Sequence, residues 1–280
     1  RWPIDQMKLL LLITGLFLAS ILHAQEIGDD LLAADTSMDV ILRKEIEGGI
    51  QLHSQGWGLQ FRRGSSITAF KKRLMEFDLV SMRSPKEIKT VHPFFNNSKS
   101  YVYGKLNSVY VLRAGLGYHR QLNRKPRSGG IEVRYFYSVG PTLALSKPIY
   151  LHIINYMGSW IEYDITTERY DPDQHFVDNI YGRASFFKGF DQIGLHPGAY
   201  ARFGFNFDYS REHEKIRTLE IGATLDAYPF TPVPIMAFND KEYYFLTVYL
   251  SFNIGHRYNR QLTREDLGIG VQREINAADQ

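Results

Sequence analysis

Residues 243 to 257 alternate between apolar and polar side chains with a period of two. The apolar set is Tyr244, Leu246, Val248, Leu250, Phe252 and Ile254, and the other set is Phe245, Thr247, Tyr249, Ser251, Asn253 and Gly255. A β-strand points successive side chains to opposite faces. The pattern therefore predicts a strand whose two faces meet different environments.

Eight segments of this kind follow one another along the chain. They lie at residues 48–55, 56–64, 72–83, 107–121, 130–145, 196–210, 216–228 and 243–257. Several reach the about 9 to 11 residues that a tilted membrane strand needs, or exceed them. Connections are short and polar after the second, fourth and sixth segments, and longer after the third, fifth and seventh. Outer-membrane barrels have short periplasmic turns and long outer loops, so both termini are predicted on the periplasmic side.

The residue types on the polar face indicate which face meets lipid. Alternation alone would also fit a soluble barrel with an apolar ligand cavity. The charged residues of the polar face are Arg62, Glu76, Asp78, Arg113, Glu132, Arg134, Arg202, Asp208, Glu220 and Asp226. This set contains no lysine, so we expect the inward face to lack it. A water-exposed face would normally include lysine, whereas a crowded interior favours the planar guanidinium of arginine. We interpret these ten residues as an interior charge network, with the apolar face toward lipid.

The predicted fold is an all-β, transmembrane, antiparallel up-and-down barrel with long extracellular loops. Eight strands are expected, and ten if "PIYLHIINY" pairs as separate barrel strands. Tyr118 and Tyr209 near the inner strand ends, and Tyr228 and Tyr244 near the outer ends, predict two interfacial aromatic girdles. An eight-stranded barrel is just wide enough to be filled by side chains, so an open pore is not expected.

The N-terminal region predicts export. A positive start at Met7-Lys8 precedes an apolar run from Leu9 to Leu22 that is shorter than a membrane-spanning helix, and "HAQE" follows. We interpret residues 1–24 as an over-long start plus a cleaved signal peptide. Residues 25–46 are expected to form a periplasmic lead-in, residues 47–258 the barrel, and residues 259–280 a periplasmic tail.

The amino-acid composition excludes several kinds of site and argues against one class of partner. The chain has no cysteine, which excludes disulfides, thiolate metal sites and cysteine nucleophiles. Its formal charge of +3, without a basic run interleaved with aromatics, argues against nucleic acid.

Three long stretches resemble a family of small outer-membrane β-barrel proteins of Bacteroidota. They are "VRYFYSVGPTLALSKPIYLHI", "YDPDQHFVDNIYGRASFFKGFDQIGLHPGAYARFGFNFDYS" and "LEIGATLDAYPFTPVPIMAF". The resemblance covers essentially the whole mature chain. It implies the barrel fold and an outer-membrane location, and it implies no catalytic residue, because such proteins are described by their barrel rather than by an activity.

Other candidate sites have weaker patterns. The first is a possible calcium site in a loop, where oxygens could come from Asp171, Asp173, His175, Asp178 and Asn179. These residues lack the D-x-D-x-D-G spacing of a calcium loop.

The second is a set of four histidines and one serine that could catalyse a reaction on lipid, although no nucleophile motif surrounds them. They are His53, His119, His152, His196 and Ser138. We predict no metal, no cofactor and no enzymatic activity.

The loops are rich in aromatic residues and proline. The stretches are "VHPFFNNSKSYVYGKLN", the segments around "MGSWIEYDI" and "NIYGRASFFKGF", and "PFTPVPIMAF". Such residues either contact a partner or pack over the barrel mouth.

The sequence therefore predicts an outer-membrane structural or interaction subunit with a plugged interior, an accessory of an envelope secretion or assembly complex. Outer-membrane lipid and a protein bound through loops or periplasmic segments are the expected partners. A lipid-modifying enzyme and a narrow channel are the alternatives.

Overall fold

The computed structural model describes residues 44–258 except residues 69, 96–97, 124–129, 158–161, 213 and 238–241. The predicted signal peptide, most of the periplasmic lead-in and the C-terminal tail lie outside the described residues. The described residues form thirteen strands and a short 3-10 helix, Phe190–Gln192. The strands are β1 Lys44–His53, β2 Gly56–Ser66, β3 Lys71–Met82, β4 Lys89–Thr90, β5 Tyr101–Val102, β6 Asn107–Gln121, β7 Glu132–Pro148, β8 Tyr150–Tyr156, β9 Tyr163–Arg169, β10 Ile180–Arg183, β11 Gly194–Asp208, β12 Lys215–Ala227 and β13 Tyr244–Tyr258.

Eight strands close into an antiparallel barrel in the order β1-β13-β12-β11-β7-β6-β3-β2. The barrel closes because β1 pairs along its whole length with β13, from Lys44 opposite Tyr258 to His53 opposite Tyr249. The predicted eight-stranded fold is confirmed. β1 begins at Lys44, earlier than the predicted barrel start, and β7 continues through Pro141 to Pro148.

The ten-stranded alternative is wrong. The stretch "PIYLHIINY" does contribute a separate strand, β8, but β8 pairs with β9 and β10 in a three-stranded sheet outside the barrel. β4 and β5 form a further two-stranded sheet. Within the described part of the chain, no helix is long and apolar enough to cross a membrane.

The two rims of the barrel differ. The first and last residues of the barrel, Lys44 and Tyr258, lie opposite each other at one rim. The short connections after β2, β6 and β11 reach the same rim, which we call the turn rim. The long connections after β3, β7 and β12 leave from the opposite rim, the loop rim, and contain all five strands that lie outside the barrel.

Alternation along each barrel strand separates polar from apolar side chains as predicted. In β13, Leu246 is 66% exposed on the outer wall and Thr247 beside it is fully buried inside. In β12, Leu225 faces outward and Asp226 inward. The outer wall is therefore apolar, while most of the interior is polar and buried.

The small sheets at the loop rim have an apolar core of their own. It consists of Tyr101, Leu151, Ile153, Tyr170 and Ile180, with Tyr103, Leu106 and Ile149 packed against it. Burial raises the pKa of the Tyr170 hydroxyl to about 12. These loops are thus a folded layer above the barrel.

Candidate functional site

The middle of the barrel holds a network of ion pairs centred on Arg62. Both terminal nitrogens of Arg62 donate to Glu220, one of them at 2.7 Å, and Nε lies 3.5 Å from Oε2 of Glu76. The Tyr249 hydroxyl donates to Glu220 at 2.7 Å. The guanidinium also lies over the ring of Phe136, 5.3 Å from its centroid. Arg62 therefore links carboxylates from two strands that are not neighbours in the barrel.

Glu76 joins this network to Arg202. Its Oε1 accepts hydrogen bonds from Ser138 at 2.5 Å and Tyr200 at 2.6 Å, and its Oε2 accepts one from Arg202 at 3.3 Å. Arg202 also donates to Asp78. Buried charges need such partners, because burying an ion away from water without a partner costs on the order of several kcal/mol of free energy.

Closer to the loop rim, Arg113 and Asp226 form a separate two-bond pair. Arg113 lies on β6 and Asp226 on β12, so the pair crosses the interior between strands that are not neighbours in the barrel. The Arg113 guanidinium is 5.9 Å from the ring centroid of Tyr200. A bidentate contact of this kind fixes the orientation of both side chains.

Near the turn rim lies a third charged group. Asp208 accepts hydrogen bonds from Arg134 at 3.2 Å and from Arg257, and Arg134 also donates to Glu132 at 2.6 Å. Lys72 pairs with Glu45 at 2.5 Å. The expectation that the inward face lacks lysine was wrong here, since Lys72 shares the inward face of Glu76.

The structure thus brings all ten predicted charges to the interior. Nine of them are buried, and Glu132 is half-buried near the turn rim. The predicted charge network left out Glu45, Lys72 and Arg257. The interior also holds neutral polar residues that the charge network did not include: Gln51, Gln60, Asn206 and Asn253. Position in the alternation was the signal that could have found several of them, since each strand presents every second residue to the interior.

An apolar cluster fills the loop-rim end of the interior. Its members are Val80, Met82, Val109, Val111, Ala144, Tyr228, Val233, Ile235 and Phe245. Val233 and Ile235 belong to residues 229–237, which we call the lid segment. The Leu106 amide donates to Ile235 O at 2.9 Å, and the Asn107 side chain donates to Pro234 O at 2.7 Å. Part of the aromatic and proline-rich stretch "PFTPVPIMAF" therefore packs over the barrel mouth.

Tyr228 corrects the predicted outer girdle. Its side chain is fully buried in the apolar cluster, 5.9 Å from the ring centroid of Phe245, and its hydroxyl is 3.3 Å from that of Thr142. The prediction that Tyr228 faces the membrane interface was wrong. Tyr118, Tyr209 and Tyr244 do lie on the outer wall.

The acidic loop segment forms turns. The Asp173 amide donates to the Asp171 carboxylate at 3.1 Å, and the Asp171 amide donates to His175 Nδ1 at 3.0 Å. Asn179 accepts from the Phe176 amide at 2.9 Å, while the Asp178 carbonyl lies 3.4 Å from His92. Across the described ranges, no group of three or more His, Asp or Glu residues could hold a metal ion. These residues therefore stabilise the loop.

The histidines are dispersed. His119 lies inside the barrel against Phe136, while Ser138 is engaged by Glu76 rather than by a histidine. His152 contacts Thr167 at 3.0 Å in the loop sheet, and His53 accepts from the Gln55 amide. His196 lies 2.9 Å from the Ser146 hydroxyl at the loop rim. In the part of the chain that the structure describes, no carboxylate is hydrogen-bonded to His196, so the pair lacks an orienting acid.

Several loop aromatics are exposed. Phe94 is 85% exposed, Phe230 81% and Phe187 80%. Phe230 precedes the buried part of the lid segment, so one stretch contributes both to the plug and to the surface. The two interpretations of the aromatic loops, lid and contact surface, thus apply to different residues.

No family model and no curated protein matches this sequence. Several solved structures are similar to it, including the three that follow. Neisserial surface protein A (NspA) has 7% identity and a TM-score of 0.37, covering 77% of this chain and 96% of its own. Ail, the attachment invasion locus protein of Yersinia pestis, in complex with the heparin analogue sucrose octasulfate, has 8% identity and a TM-score of 0.36, covering 77% and 98%. The N-terminal β-barrel domain of Pseudomonas aeruginosa OprF has 11% identity and a TM-score of 0.31, covering 76% and 97%.

Proposed function

We propose that the protein is a bacterial outer-membrane barrel that spans the bilayer with its eight barrel strands and keeps a closed interior. The observation that carries the proposal is the reversed polarity, with exposed apolar side chains outside and buried ion pairs inside. An apolar wall of this extent is unfavourable in water and favourable in lipid. Closure of the sheet also pairs every barrel strand with two neighbours, as spanning a bilayer requires.

Within the membrane, the protein serves as a structural or interaction subunit, an accessory of an envelope secretion or assembly complex. The filled interior supports this role over transport, because ion pairs and the apolar cluster occupy the space that a pore would need. The exposed rings of Phe94 and Phe230 supply a contact surface on the loop-rim side. The predicted periplasmic segments are a second place for a partner to bind.

Purification of the tagged protein from outer membranes in mild detergent, with mass spectrometry of co-purifying proteins, tests this role. We expect a near-stoichiometric partner. A variant with Phe94→Ser and Phe230→Ser should lose that partner if the loops bind it, and should keep it if the periplasmic segments do. A barrel recovered alone from both extracts would contradict the interaction role.

A second candidate, lipid modification, is favoured by the 2.9 Å contact between Ser146 and His196. Deletion of the gene and a Ser146→Ala variant should then give the same change in lipid A or phospholipid profile. Unchanged profiles would remove this candidate. Conductance steps in planar bilayers would contradict the closed interior and support a channel instead.

A further inference from the structure

Three phenylalanines between β10 and β11 form a compact aromatic cluster at the loop rim. The ring centroids of Phe186 and Phe187 are 5.7 Å apart, those of Phe186 and Phe190 are 5.5 Å apart, and those of Phe187 and Phe190 are 6.4 Å apart. Their side chains are nevertheless 51%, 80% and 48% exposed, in the order Phe186, Phe187, Phe190. The rings therefore pack on one another and still present an apolar surface.

The aromatic cluster is attached to the outside of the barrel wall. Alternation along β7 places Leu143, Leu145 and Lys147 in succession on the outward side. The Lys147 ammonium lies 4.9 Å from the ring centroid of Phe186 and 5.2 Å from that of Phe190. Leu145 pairs with Leu195, which is strongly exposed on the outer wall. The cluster thus continues the apolar wall at its loop-rim end.

The cluster also carries positive charge. Lys147 is buried, and its ammonium donates to Lys188 O at 2.9 Å. Lys188 itself is exposed, with its ammonium 6.0 Å from the ring centroid of Tyr150. Among the described residues, no carboxylate forms an ion pair with Lys147 or Lys188. Apolar rings beside uncompensated ammonium groups match the boundary where acyl chains meet phosphate groups.

We propose that Phe186, Phe187 and Phe190 insert into the outer leaflet at the level of the headgroups, with acyl chains against the rings and a lipid phosphate beside Lys188. The inference rests on the proposed membrane-spanning function and adds a second, loop-borne lipid contact to the strand wall. Continuity with Leu145 and Leu195 favours lipid over a protein partner, because this side of the wall is the side that lipid would cover.

Site-directed spin labelling tests the proposal, because the chain has no native cysteine and each introduced one is unique. Full-length Phe187→Cys, Val248→Cys and Phe94→Cys proteins are labelled and reconstituted in phosphatidylcholine vesicles. Power saturation then compares access of each label to oxygen, which concentrates in lipid, and to a water-soluble nickel chelate. Val248 is an outward residue of β13. Phe94 is an exposed loop residue whose ring lies against His92 and takes no part in the ring contacts of the aromatic cluster.

We expect oxygen access to exceed nickel access at positions 187 and 248 and the reverse at position 94. If oxygen access is higher at position 248 but nickel access is higher at position 187, this inference is overturned and the proposed membrane barrel still stands. Higher nickel access at both positions would overturn the membrane-spanning barrel and the insertion of the aromatic cluster together. A label at 187 that is immobilised and reached by neither reagent would indicate a protein contact, which also overturns the inference.

The phosphate contact is tested separately in the Phe187→Cys background. Adding phosphatidylglycerol to the vesicles should raise the ratio of oxygen to nickel access at position 187, because an anionic lipid draws Lys188 toward the headgroups. The same comparison with Lys188→Ala should show no rise. An equal rise in both proteins, or in neither, would overturn the assignment of Lys188 to lipid phosphate.

Discussion

Arg113 and Asp226 meet across the barrel interior through two hydrogen bonds, Nε to Oδ1 at 2.8 Å and Nη2 to Oδ2 at 2.6 Å. Their side chains are essentially inaccessible to solvent. The two residues come from β6 and β12, which are not neighbours in the barrel. This contact therefore ties opposite parts of the wall together through the lumen.

Removing one member of that pair should destabilise the barrel strongly. Asp226→Ala leaves the Arg113 charge buried without its partner, so we expect the free energy of unfolding to fall by about 3 to 5 kcal/mol. Urea titration of the reconstituted barrel measures the change. The double variant Arg113→Leu with Asp226→Leu should recover most of the loss, because no unpaired charge remains.

The exposed pair between Lys215 and Glu212 supplies the matched control. Its members are 3 residues apart at the turn rim and more than half exposed. Lys215→Ala should leave the urea midpoint unchanged, since solvent screens such pairs. Equal effects at Asp226 and Lys215 would contradict the assignment of stability to the interior pair.

Gly115 gives the Tyr200 hydroxyl the room to reach Glu76. A methyl group at Gly115 would collide with that hydroxyl, which donates to Glu76 Oε1 at 2.6 Å. Gly115→Ala should therefore lower the free energy of unfolding by about 1 to 3 kcal/mol, as overpacking of a filled interior does. Gly48→Ala is the control, because its nearest atom, Gln60 O, would be 3.8 Å away. A harmless Gly115→Ala in the same urea titration would show that the interior adjusts.

In the lid segment, Ile235 should stabilise the folded barrel and Phe230 should not. Ile235 is buried in the apolar cluster, so Ile235→Ala should cost about 2 to 5 kcal/mol of unfolding free energy. Phe230, in the same segment, is largely exposed, and Phe230→Ala should have little effect. Thermal unfolding followed by circular dichroism measures both variants. Similar losses would mean that Phe230 also supports the lid, and no loss in either would mean that the lid does not stabilise the barrel.

The outer wall should reject charge if lipid covers it. Leu250 lies near the middle of the outward side of β13. Leu250→Lys should reduce the unfolding free energy in vesicles by about 2 to 4 kcal/mol, the cost of a lysine near the bilayer midplane. Phe94→Lys, on a loop, should cost nothing measurable. A tolerated lysine at position 250 would instead favour a water-exposed outer wall and a soluble barrel.

The alternation of apolar and polar side chains along the sequence is sufficient to predict much of the architecture. Eight alternating segments predicted eight barrel strands, because a strand must present successive residues to opposite faces whatever surrounds it. The same rule assigned ten charges to the interior, where the structure has them. It also pointed Tyr228 inward, since Tyr228 shares the position of Asp226 in the alternation. The assignment of Tyr228 to the outer girdle went against that rule and was wrong. The signal peptide and the Bacteroidota resemblance stay predictions.

The partners of those charges were decided only by the closed barrel. Arg62 and Glu220 are 158 residues apart, and no spacing along the chain predicts their contact. It depends on strand order, register and the width of the lumen, which bring distant strands face to face. The same holds at the loop rim, where Ile235 enters the barrel while Phe187 stays on its surface. Alternation reports which side of a strand a residue occupies, whereas packing across space decides what that residue touches.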